Sequence, residues 1–117
     1  KGSNKMITLH QIDAKTVEAY QEKTNKRLYR FDLTVKDLTK DIFKLYKPVA
    51  QFLTDNLDEA FEIDNIGDES NGLLKKVFTS TSHHSMSVGD IVTKNNECYM
   101  VARFGFDKIN INKWGDK

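Results

Sequence analysis

Six side chains capable of chemistry fall close together in this 117-residue chain: His83, His84, Ser85, Ser87, Asp90 and, a little further on, Cys98. Serine or cysteine beside a histidine and a carboxylate is the inventory of nucleophilic catalysis. Histidine with cysteine is the inventory of a zinc site. The spacing argues against both. Catalytic triads are assembled from segments distant in sequence, so closeness along the chain supplies no relay. Adjacent histidines on an extended chain point to opposite faces, and the single cysteine leaves no ligand pair of the kind zinc requires. No H-E-x-x-H, G-x-S-x-G or glycine-rich phosphate loop occurs. We therefore expect no enzyme, no metal and no cofactor. An enzyme built on His84, Ser85 and Asp90 would need a concave pocket joining those three side chains.

The densest feature is the run Ser85, Met86, Ser87, Val88, Gly89, Asp90, Ile91, Val92. Ser87 and Asp90 flank a Val-Gly pair, Gly89 admits positive φ, and either polar side chain can satisfy backbone amides across a tight turn. This reads first as a turn that sets strand register. The sharper alternative makes Ser85, Met86, Ser87, Gly89 and Asp90 a loop that contacts a partner. Downstream, Gly105 between two phenylalanines suggests a bulge or a close backbone approach within a strand.

Charge gives two further candidates. Lys and Arg number 18 against 17 Asp and Glu, yet residues 55–69 carry seven carboxylates and no basic side chain. That block, with Asp58, Glu59 and Glu62 at its centre, lacks the calcium-loop pattern. It reads as a helix N-terminus with a solvated loop, or as a docking surface for a basic protein partner. Lys36, Lys40, Lys44 and Lys47 stack on one face of the expected helix, which makes them the nucleic-acid candidate. Asp37 and Asp41, each three residues before a lysine, are placed to pair with that row. Arg27, Tyr29, Arg30 and Phe31 do not form a basic-aromatic platform, because strand alternation would send arginines and rings to opposite sides.

The elements that must position these residues are short. Residues 1–5 read as a flexible arm, and 6–117 as one domain. Residues 6–12 suggest a strand, at an edge of the sheet. Asp13 caps a helix bearing Ala14, Val17 and Tyr20, stopped at Thr24-Asn25. Residues 27–35 alternate with Tyr29, Phe31, Leu33 and Val35 on one face, and 28–33 reads as a half-buried strand. Leu38, Ile42, Leu45 and Val49 form a helical stripe, and Pro48 starts a fresh turn carrying Val49, Phe52 and Leu53. Asp55 or Asn56 caps a helix ending near Asn65-Ile66-Gly67. Strands follow over 73–79, 91–93 and 98–106, with Asn95-Asn96 as a hairpin turn, and Ile109, Ile111 and Trp114 in a closing segment. The expected architecture is α+β: a small twisted antiparallel sheet on two or three short helices, with a C-terminal β-hairpin.

SMSVGDIV, a short turn and YMVARFGF together resemble a signature found in small proteins of phages and mobile elements, including the YodL-like domain family. The pieces LYRFDL and LDEAFEIDNIG are similar to the segments that precede it there. The resemblance spans roughly 28–109 and departs in an extra apolar stretch over 42–53. It implies a fold and a phage or mobile-element setting, and no activity. Taken together, these features lead us to expect a non-catalytic protein-binding domain, with a nucleic-acid module as the second reading. One cysteine and no apolar run near the ~20 residues of a membrane span point to a reducing, cytoplasmic setting without membrane partners.

Overall fold

A computed structural model describes residues 6–66, 76–80, 84–94 and 97–110. Among these residues, six strands form a single antiparallel sheet in the order β3-β2-β1-β4-β5-β6. In chain order the elements are β1 (Ile7–Gln11), α1 (Ala14–Thr24), α2 (Lys40–Phe43), β2 (Lys47–Phe52), α3 (Leu57–Ile66), β3 (Lys76–Thr79), β4 (Ile91–Lys94), β5 (Glu97–Val101) and β6 (Phe106–Ile109). The α+β expectation is met. The β4–β5–β6 meander supplies the C-terminal hairpin, with Lys94 opposite Glu97. Asn95-Asn96, His83 and Trp114 lie outside the described residues.

Both faces of the sheet are covered. Direct antiparallel partners share a face, and the pairs sort accordingly. Ile7 opposite Phe52, Leu9 opposite Ala50 and Val101 opposite Phe106 face a cluster that includes Ala60 of α3 and Met86. Ile91 opposite Met100 and Cys98 opposite Ile109 face the other cluster, closed by Leu28, Leu33, Leu38 and Ile42 with Val17 and Tyr20 of α1.

Local chemistry explains the helix ends. Asp13 Oδ1 accepts the Thr16 amide at 2.8 Å, and Asn25 closes α1 in the left-handed region at φ 59°. Asn56 Oδ1 accepts the Glu59 amide at 3.0 Å, and Glu59 reaches back to accept the Thr54 hydroxyl. The Thr54 hydroxyl oxygen in turn accepts the Asn56 amide at 3.1 Å, so two amides at the start of α3 are bonded by side chains.

Four expectations are overturned. Strand 6–12 is β1, which lies inside the sheet between β2 and β4, not at an edge. Its Ile7, Leu9 and Gln11 are buried on one face, and Thr8 and His10 are half-buried on the other. Residues 28–33 are not a strand: the Asp32 amide donates to Tyr29 O at 2.9 Å in a reverse turn, with Leu28 and Leu33 buried on either side. The stripe over 38–49 yields one helical turn, α2, before the chain becomes β2. Pro48 is accommodated at a register shift opposite His10, beyond the three β2 residues that pair with β3, so its missing donor costs the sheet little. The strand expected over 98–106 is two strands, because Gly105 at φ +89° reverses the chain and the Ala102 amide bonds its carbonyl at 3.0 Å. Open space surrounds Gly105, so it is a turn residue and not a close approach.

Candidate functional site

The Ser85–Asp90 turn points inward. Asp90 Oδ2 accepts the Ser87 amide at 2.9 Å, and the Asp90 amide donates to Ser87 O at 3.0 Å. The turn joins the sheet directly, since the Gly89 amide donates to Val101 O and the Val101 amide to Asp90 O. Gly89 sits at φ +95°, and a Cβ there would lie 2.1 Å from Arg30 O. Only glycine lets the 26–33 loop rest on this turn. The Tyr46 hydroxyl donates to Gly89 O from the other side. Met86 and Asp90 are buried; Ser85 is exposed.

Behind the turn lies a polar network that the sequence reading missed. Gln11, fully buried on β1, donates both hydrogens of its amide at 2.8 Å, one to Asp90 Oδ2 and one to His84 O. Its Oε1 accepts the His84 amide at 3.1 Å. With both hydrogens committed, Gln11 has none for His84 Nδ1, so Nδ1 carries the proton that bonds Ser85 O at 3.0 Å. That leaves His84 Nε2 as a buried acceptor without a partner among the described residues. Among the described residues neither ring nitrogen meets a serine hydroxyl, and the Ser87 hydroxyl donates to Ser85 O. Across the turn, Asp64 of α3 accepts the Met86 amide at 2.6 Å. Burial pushes the Asp90 carboxyl up to about 7; the nearby Asp64 carboxylate adds to that, while the Ser87 and Gln11 bonds and Arg30 oppose it. Burial, and then Asp90, also raises the Tyr46 hydroxyl above its ordinary value.

The acidic block divides. Glu59 and Asp64 hold backbone and hydroxyl groups in place, whereas Asp58 and Glu62 stand exposed one turn apart on α3. Asp68 and Glu69 lie outside the described residues. The lysine row also comes apart, because α2 is a single turn. Lys36 sits in the turn before it, where Asp37 accepts from the Thr34 amide and hydroxyl. Lys40 opens α2, Lys44 follows it, and Lys47 begins β2 with its ammonium 3.4 Å from Asp13. Among the described residues, no group of three or more His, Cys, Asp or Glu could hold a metal ion. No described helix is long and apolar enough to cross a membrane.

The outward-facing chemistry is elsewhere. Tyr29 is 62% exposed, Phe31 46% and Phe104 94%. The expected separation of arginines from rings fails once 28–33 is a turn: the Arg30 guanidinium lies 4.7 Å from the Phe31 ring centre and donates to Ile12 O. Phe31 in turn meets the His84 ring edge-on, with centroids 5.2 Å apart. A cleft of about 540 Å³ separates this loop from the β5–β6 turn, with Asp32 and Leu33 on one wall and Arg103 and Phe104 on the other. The signal available in the sequence was the ring-arginine-ring triplet Tyr29-Arg30-Phe31, matched by Arg103-Phe104 just before a turn glycine. Comparison of the chain with protein-family models, with curated proteins and with solved structures finds no match to any of them.

Proposed function

We propose that this chain is a non-catalytic interaction module that binds a protein partner through the Tyr29–Phe31 loop and the Arg103–Phe104 turn. One observation carries the reading: exposed Tyr29 and Phe31, with Arg30 against Phe31, sit on the loop whose Asp32 and Leu33 form one wall of a cleft, and Arg103 with exposed Phe104 forms the other wall. Aromatic residues and arginine are the types that dominate the binding energy of protein interfaces. The phage or mobile-element setting, and with it a bacterial cytoplasm, rests on the resemblance of SMSVGDIV and YMVARFGF alone.

Ser85, Met86, Ser87, Gly89 and Asp90 contribute to this surface indirectly, by supporting the loop that carries Phe31. Asp58 and Glu62 offer the competing face. The full chain, immobilised in bacterial lysate, should retain a saturable protein partner. That partner should survive Asp58→Asn with Glu62→Gln and be lost with Tyr29→Ala and Phe104→Ala. The reverse pattern would move the interface to α3, and capture of nothing saturable would remove the reading.

A further inference from the structure

The dispersal of the lysine row creates a different cationic feature. A cleft of about 650 Å³ runs beside α1, and Lys15, Lys23, Lys44 and Lys47 all line it. These residues come from both ends of α1, from the turn after α2 and from the first position of β2. Tertiary structure gathers them; no helical stripe does. Asp13 and Asp41 are the acidic residues of the lining. Asp13 is engaged, since it caps α1 and takes the Lys47 ammonium. Lys15, Lys23 and Lys44 make no ion pair among the described residues and are exposed. Asp41 is the one acidic residue of the lining left against these three, so the cleft keeps an excess of ammonium groups, and such an excess around a concavity concentrates anions by focusing the field there.

We infer that this cleft binds a nucleic-acid strand through its phosphate backbone. The geometry favours a strand over a single anion. Lys15 and Lys23 are eight residues apart on one helix, roughly 12 Å along its axis, which is several times the roughly 3.4 Å axial repeat of successive phosphates along one strand of a duplex. The site therefore matches a row of charges. Tyr20 and Leu45 in the lining add ring and apolar surface of the kind bases and sugars cover. Lys36 and Lys40 do not line the cleft and are not part of the site.

Fluorescence anisotropy with a labelled single-stranded oligonucleotide and the full chain tests this. At ~50 mM salt we expect saturable binding whose log K falls against log salt with a slope of about −2, as three neutralised phosphates require. Lys15→Gln, Lys23→Gln and Lys44→Gln combined should bring that slope close to zero at an unchanged melting midpoint, while Lys36→Gln with Lys40→Gln should leave it as it was. Absence of binding, a slope that the triple variant does not alter, or equal loss in the Lys36/Lys40 variant would overturn the inference. Inorganic tripolyphosphate that binds as tightly as the oligonucleotide would overturn the assignment to a strand. The Tyr29/Phe104 variant should bind the oligonucleotide normally, so this result stands apart from that for the protein partner.

Discussion

The Ser85–Asp90 turn and the Tyr29–Phe31 loop touch one another and use their side chains in opposite ways. In the turn, Asp90 bonds Ser87 and Gln11, the backbone joins β5, and Gly89 is flattened against Arg30. In the loop, leucines anchor each end and the rings between them face solvent. The turn is the denser motif in sequence and has its chemistry consumed by the fold. The loop resembles an ordinary strand in sequence and keeps its chemistry available. A conspicuous cluster of polar residues thus marks where backbone needs holding, and the surface free to act lies one layer out.

The strongest challenge to this contrast is Gly89→Ala. A Cβ 2.1 Å from Arg30 O at positive φ forces the two segments apart, and chemical denaturation should report a loss of more than about 4 kcal/mol. A loss below 1 kcal/mol would mean the turn does not support the loop.

Asp90 comes next. Its carboxyl titrates near 7 when folded against an ordinary 3.8, so the folded state holds the proton more tightly. Stability from this group is full at pH values below about 4 and is lost as pH rises toward 7, by roughly 2–4 kcal/mol. Burial lowers His10 from its ordinary 6.5, which acts in the opposite direction below that pH. The difference between the wild type and Asp90→Asn, measured from pH 4 to 8, isolates the carboxyl. The asparagine can keep both accepted bonds, and it should flatten the profile. Parallel profiles would show that Asp90 is not the group responsible.

Gly105→Ala is the milder counterpart of Gly89→Ala. The φ is again positive, at +89°, but nothing stands within 4 Å. The expected cost is about 1–2 kcal/mol, from backbone strain alone, and a cost equal to that of Gly89→Ala would erase the distinction between a close approach and a simple reversal. Phe104→Ala should shift unfolding by no more than about 0.5 kcal/mol, because a ring so exposed loses little burial. A larger loss would place Phe104 in the core and take it out of the binding face.

The parts legible in the sequence were those decided locally. Asp13, Asn25 and Asn56 act within a few residues of themselves, so the ends of α1 and the start of α3 could be read directly. Ser87 and Asp90 bond one another as their spacing suggests. The failures share a cause: alternation and helical stripes assume that the chain continues straight. Tyr29, Phe31 and Leu33 alternate, but a turn at Tyr29–Asp32 buries Leu28 and Leu33 and turns the rings out. Leu45 and Val49 continue the spacing of Ile42, but Val49 already belongs to a strand whose partners lie in β1 and β3. Gln11 gave no signal at all, since its role depends on His84 and Asp90, more than 70 residues away.

The most direct test measures affinity and stability on one double variant, Tyr29→Ala with Phe104→Ala, against the partner captured by the wild-type chain. Two outward rings at the centre of an interface should together cost at least tenfold in Kd, about 1.4 kcal/mol or more, at an unchanged unfolding midpoint. Undiminished affinity in a folded variant would contradict the account and return the binding face to the acidic side of α3.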